Sequence, residues 1–426
     1  MTLLANRWCW RVLSIVGFPG NSEMPLLDLR PEDELLLCCA RTSLRGEKAE
    51  RVETLLQGEM DWTSVYNLGS RHGLVPLLYK NLKSAFPEKV PEPVMDRLRN
   101  HFLVVAGHNV LRAQELLKLL HLFESHDIPA VPYKGPVLAA SIYGDIGLRQ
   151  FCDLDILVQK ENVSKAKDLL VSNGYQWFSE LNTIQQEVYL RSGSGCFRFC
   201  RRDGKVIIEV DQEITTLREF PLWLDLESFW KRLVRIPFEG RNVPAFPAED
   251  LLLILCVHGA KHRWEQLNWV CDLAELIRVH QNLDWEGLLK RSRTLGCQRI
   301  LFLGLFLAHH LLGALLPAEV LRRAKSDAAV GTLATHVCER LFHDGNGSSR
   351  GAFGLPSFYL KVSERLRDRT AYCLRLAFTP TVDDWKRLPL PQSLGFLYYV
   401  VHPLVLTGKY GLKPLGNLFN GRTSNL

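Results

Sequence analysis

The chain has 426 residues, 47% of them hydrophobic and 23% charged, with a formal net charge of +6. That length allows two or three domains and a large buried core, and the balance of apolar and charged residues excludes wholesale disorder. The basic residues are scattered rather than gathered into a run, which suits a polyanionic substrate but gives no DNA-binding footprint.

Residues 1–30 read as a loose tail, because the apolar run after Arg7 and Arg11 is too short for the core of a signal peptide. Residues 31–127 read as a helical lead-in. Pro31-Glu32-Asp33 opens an apolar run as a helix N-terminus does, Trp62, Val65, Leu68 and His72 recur at helical spacing, and His101 to Asp127 carries one broad apolar stripe. No chemistry is visible in this part, and His72 and His108 read as packing or capping residues.

From Ile128 to Phe246 short strands alternate with helices, and here the chain carries its chemistry. An apolar strand, Ile128 to Tyr133, runs into Lys134-Gly135-Pro136. Glycine permits a tight turn there and proline suits the first position of a helix. The helix amides and the charge of Lys134 then make the strand tip suited to bound phosphate. Gly144 and Gly147 precede a second strand, Asp153 to Val158, which opens with carboxylates at alternate positions. Strand residues two apart share a face, so Asp153 and Asp155 can converge on one divalent cation. The competing structural role has Asp153 capping the loop and Asp155 paired with Arg149.

Farther on, Glu161 to Asn173 forms an amphipathic helix closed by Gly174, Tyr175 to Phe178 a strand, and the residues through Gly195 a polar excursion. Cys196 to Arg201 and Lys205 to Ile214 flank Asp203-Gly204 as the arms of a hairpin. The second arm places Glu209, Asp211 and Glu213 on one face. Glu209 lies in its most apolar part and points to a metal site, while Glu213 fits a half-exposed strand position. A further hairpin is expected from Leu233 to Phe246, around a loop of residues 239–242.

Residues 247–415 return to helices, followed by a polar tail over 416–426. Leu251 to Arg263 is apolar nearly all round and therefore buried. It carries His258 and His262 on one face, but no glutamate follows His258, so packing or contact with a nucleotide is expected rather than zinc. Leu267 to His280 and Trp285 to Leu295 continue the bundle, and His343 to Gly354 reads as a flexible loop. The apolar stretches Leu301 to Leu316 and Gly395 to Leu406 are broken by His309-His310 and His402-Pro403. Both fall short of the ~18 uninterrupted residues a membrane span needs, so no transmembrane segment is expected. Eleven cysteines without a CxxC pair suit reduced thiols in a cytoplasmic protein.

A strand, a glycine turn heading a short helix, a strand bearing Asp-x-Asp and a third carboxylate on a later strand together resemble the DNA polymerase beta-like nucleotidyltransferase superfamily. More closely, Tyr133-Lys-Gly-Pro-Val-Leu, the stretch from Leu148 to Val158 and the stretch from Leu251 to Trp264 resemble a bacterial family of uncharacterised nucleotidyltransferases. The resemblance covers roughly residues 31–415. It implies an α+β fold, with a small mixed-sheet core flanked by an N-terminal helical region and a C-terminal helical bundle. It further implies Mg²⁺- or Mn²⁺-dependent transfer of a nucleoside monophosphate from a nucleoside triphosphate to a hydroxyl-bearing acceptor, a small molecule, protein or RNA, with release of pyrophosphate. A catalytically inactive nucleotide-binding or interaction protein on the same fold is the alternative. By position, Asp153, Asp155 and Glu209 match the metal-binding and catalytic carboxylates. Lys134 and Gly135 stand at the triphosphate turn, where the superfamily has Gly-Ser or Gly-Gly, and Arg149 is a further candidate for phosphate. The nearer family tends to have His-Trp two residues beyond the third acid. Here Asp211-Gln212 stands there, which leaves Glu209 and Asp211 as rivals for the third position.

Overall fold

The computed structural model describes residues 29–177, 196–215, 222, 224–342, 355–378, 394 and 397–410. The tail before residue 29, the polar excursion 178–195, the loop 343–354 and the tail 416–426 lie outside the described residues.

Among the described residues, four helices come first: Pro31–Cys39, Glu47–Leu55, Trp62–Arg71 and Val75–Ala85 (α1 to α4). Their starts are chemical. Asp33 accepts from the Arg30 amide at 3.3 Å, and Asp61 accepts from the amides of Thr63 and Ser64 at 3.0 and 3.1 Å, satisfying donors that a helix leaves open at its first turn. The long helix α5, Glu92–Glu124, begins before the apolar stripe of residues 101–127. Pro93 lies in its first turn, where a missing N–H costs nothing.

The central sheet contains β1 (Ala130–Pro132), β2 (Asp153–Val158), β3 (Tyr175–Trp177), β4 (Cys196–Arg201) and β5 (Ile207–Asp211) in the order β1-β2-β5-β4-β3. Only β2 and β5 are parallel; the other pairs are antiparallel, which makes the sheet mixed. Helix α6 (Gly135–Leu138) follows β1, and α7 (Val163–Ser172) follows β2. Strand β5 is shorter than the expected arm from Lys205 to Ile214, because its last residue, Asp211, pairs with Cys196, the first residue of β4. After α8 (Leu226–Trp230) comes the hairpin of β6 (Val234–Phe238) and β7 (Arg241–Ala245). Its loop is two residues rather than four. Glu239 and Gly240 take φ of 46° and 77°, the tight turn that matches strand twist, so Arg241 and Asn242 belong to the strand.

The period-two rule gives the sheet two unlike faces. Leu154, Ile156, Phe197, Phe199, Ile208 and Val210 point to one face and pack with Leu116, Leu119 and Phe123 of α5 and Ala166 and Leu170 of α7. The intervening residues Asp153, Asp155, Glu209 and Asp211 therefore point to the other. That face looks toward the C-terminal helices α9 (Ala248–Lys261), α10 (Leu267–Val279), α11 (Trp285–Leu295) and α12 (Gln298–Leu312). Val131, Tyr133 and Leu157 from this second face join one continuous apolar core, in which Leu35, Leu36 and Leu78 of the N-terminal helices meet Leu252, Leu273 and Leu301. Further helices run to Tyr410. No helix among the described residues is long and apolar enough to cross a membrane.

Candidate metal and phosphate site

The parallel pairing of β2 with β5 sets Asp155 directly beside Glu209, with Asp153 and Asp211 one step to either side on the same face. Asp155, Glu209 and Asp211 each offer an oxygen within 4.8 Å of the others. Asp153, the first residue of β2, extends the row of acids on this face and feels the charges of Asp155 and Glu209, but it lies outside that group of three. Both rivals for the third carboxylate, Glu209 and Asp211, are thus in the group.

Electrostatics shows how crowded these acids are. Burial, reinforced by the charges of Asp155 and Glu209, raises the Asp153 carboxyl to about 6. Burial and Asp155 raise Asp211 to about 7, although Lys134 and a hydrogen bond from Tyr133 act in the opposite direction. The Tyr133 hydroxyl donates to Asp211 Oδ2 at 2.7 Å and is itself held well above its ordinary value by burial and that negative neighbour. Like charges gathered in a half-dry site resist ionisation until a cation joins them.

Two basic side chains partly supply that charge. Lys134 Nζ lies 2.5 Å from Asp155 Oδ1. Burial alone would lower the lysine ammonium, but Asp155, followed by Asp211 and Asp153, outweighs it and leaves the group above the ordinary lysine value. On the solvent side, Arg198 pairs with Glu209 through two guanidinium nitrogens, Nε at 3.0 Å. Arg198 was not foreseen, though the hairpin register predicts it: in a hairpin centred on Asp203-Gly204, Arg198 and Glu209 are equidistant from the turn and face one another.

Gly135 places Lys134. Its φ of +60° lies in the left-handed region, so the turn favours glycine, while a Cβ there would meet the Asp153 carbonyl oxygen only at contact distance, 3.4 Å. The Tyr133 amide extends the β1–β2 ladder to the Asp155 carbonyl, which delivers the next side chain, Lys134, to the acid row.

Arg149 is placed differently from expectation. The ion pair with Asp155, weighed as the competing role, forms instead with Asp272 of α10, Nε to Oδ1 and Nη2 to Oδ2 both at 2.8 Å. Tyr143 donates to the same carboxylate at 2.7 Å. Asp272 is distant in sequence and sits in an apolar helix, and a buried bidentate partner satisfies the guanidinium better than a carboxylate already bound by lysine. Arg149 thus ties the sheet region to the C-terminal helices. His258 lies closer to the acids: Lys134 Nζ donates to His258 Nδ1 at 3.4 Å, and burial and Lys134 hold this imidazole well below its ordinary value, so it is neutral. Glu213 lies past the end of β5, outside the strand expected to carry it, and is half-buried.

A family model described as an uncharacterised nucleotidyltransferase matches residues 58–313, more than half of the chain and all of the acid row. No curated protein matches the chain.

Proposed function

The chain belongs to the uncharacterised nucleotidyltransferase family, and from that membership we propose that it moves a nucleoside monophosphate from a nucleoside triphosphate to a hydroxyl-bearing acceptor, releasing pyrophosphate, with Asp153, Asp155, Glu209 and Asp211 as its metal-holding residues. The observation that carries the proposal is the convergence of Asp155, Glu209 and Asp211 within 4.8 Å, beside a lysine on a glycine turn. The donor set fits a hard divalent ion: every donor in that group is a carboxylate oxygen, and Mg²⁺ and Mn²⁺ favour oxygen ligands. When bound, such an ion supplies positive charge to the attacking and leaving oxygens of an in-line displacement.

The chain's own groups divide the remaining work. Asp153 and Asp155 would hold the ion on the triphosphate side of the site. Lys134 releases Asp155 and neutralises the triphosphate, with the Gly135 amide beside it. Glu209, half-buried and turned toward solvent with Arg198, receives the proton of the acceptor hydroxyl. Asp211 is held by Tyr133 and completes the negative wall behind it. Arg149 has a structural part, fixing the loop before β2 against Asp272. The eleven cysteines, with no CxxC pair among them, favour a reducing, cytoplasmic setting.

Incubation with each labelled ribonucleoside triphosphate, Mg²⁺ or Mn²⁺ and a cell extract tests the proposal. Label should appear in a macromolecule or small molecule only when the metal is present and Asp155 is intact. Label transfer that survives chelation and Asp155→Asn would remove it.

A further inference from the structure

His258 lies in helix α9 and His262 is the residue just after its end, one turn on, and their ring centroids are 4.7 Å from each other. The chain then reverses through Arg263 and Trp264, both at positive φ, 53° and 54°. Two successive side-chain-bearing residues in the left-handed region are uncommon and need support from their surroundings. The support is visible. The Trp264 amide donates to the Gly259 carbonyl at 2.8 Å. Its fully buried indole covers Gly259 so closely that a Cβ there would fall 2.4 Å from Cζ3. This reversal returns α10 along α9 and sets the Trp269 ring 5.3 Å from both histidine rings.

The resulting aromatic cluster borders the acid row. Lys134 stands between them, 3.4 Å from His258 Nδ1 and 2.5 Å from Asp155 Oδ1. His262 is exposed, and His258 and Trp269 are half-buried, so the cluster opens to solvent instead of closing a core. An indole and imidazoles present flat π-surfaces, the kind on which nucleobases stack irrespective of sequence.

We infer that His258, His262 and Trp269 form the nucleobase-binding wall of this site, so that the base lies on α9 and α10 while the phosphates lie at Lys134; this rests on the transferase assignment above. The wall makes the preferred ligand a nucleoside triphosphate rather than any polyphosphate.

The test is calorimetric titration of ATP and of inorganic tripolyphosphate, each with Mg²⁺, into the wild-type chain, His262→Ala and Trp269→Ala. Loss of one stacking partner should raise the Kd for ATP about tenfold or more and leave tripolyphosphate unchanged. Unchanged tripolyphosphate binding also shows that each variant is folded. If ATP and tripolyphosphate bind the wild type and both variants alike, the aromatic wall is wrong while the phosphate site stands. If neither binds the wild type, the transferase assignment fails and takes the wall with it.

Discussion

Lys134 and Asp155 form a nearly fully buried ion pair, Nζ to Oδ1 at 2.5 Å, in the middle of a row of acids. The charge that the acids need is thus partly provided by the residue proposed to meet the triphosphate. Each group can leave the other only when a better partner arrives: a metal for the carboxylate, a phosphate for the ammonium.

Asp155→Asn should therefore do two things. Transfer should be lost, and the fold should weaken, because Lys134 would keep its charge without its nearest partner. Breaking a buried pair from one side costs about 3–5 kcal/mol, and the nearby Asp153 and Asp211 place this case toward the lower figure. Although the substitution is nearly isosteric, the ion pair makes it more than a change of shape. A label-transfer assay and thermal unfolding check both effects; undiminished transfer would count against the site.

Arg198→Ala should have the opposite effect on metal. The guanidinium competes for Glu209, but its side chain is 53% exposed and solvent screens it. An exposed pair is worth about 0.2–1 kcal/mol, so removing it should tighten Mn²⁺ binding by at most about fivefold. Calorimetric titration with Mn²⁺ reads this directly, and weaker binding in the variant would mean that Arg198 supports the site instead of competing for it.

The acids also predict a pH dependence. Asp153 and Asp211 titrate at about 6 and about 7 in the metal-free protein, above the ordinary aspartate value of about 3.9. Between these limits the folded chain holds protons that the unfolded chain has released. The stability these two groups contribute is present at low pH and lost as pH rises through 6 to 7. A divalent cation requires them ionised and offsets that loss. Mg²⁺ or Mn²⁺ should raise Tm clearly at pH 8 and little at pH 5; equal shifts at both would contradict the assignment.

Asp272→Asn should lower stability by about 3 kcal/mol or more, since Arg149 is left buried without its bidentate partner. Its effect should appear in Tm and expression, with the KM for triphosphate unchanged in the fraction that remains folded. A KM raised in proportion would return Arg149 to the phosphates.

Much of this architecture is legible in the sequence because it is written locally. Alternating acid and aliphatic residues announce β2 and β5, with the β2 limits at Asp153 and Val158 read directly. Gly135 marks a turn that its φ of +60° does require. What is not legible depends on contacts between distant segments. Asp272 looks like any polar residue on a helix until Arg149 is folded against it. Tyr133 reads as a strand aromatic, and nothing local says that its hydroxyl reaches Asp211. Trp269 likewise gains meaning only when the Arg263-Trp264 reversal brings it to His258 and His262. Arg198 lies between these cases, since hairpin register would have paired it with Glu209.

The central claim is that these carboxylates and Lys134 bind a nucleoside triphosphate together with a divalent ion. Titration of ATP into the wild-type chain with Mg²⁺, with Mg²⁺ replaced by chelator, and into Lys134→Ala with Mg²⁺ addresses it most directly. Saturable binding that requires Mg²⁺ and weakens at least tenfold in Lys134→Ala is the predicted result, from loss of one charge-assisted contact worth about 1.5–3 kcal/mol. Binding of equal strength in all three conditions would contradict it.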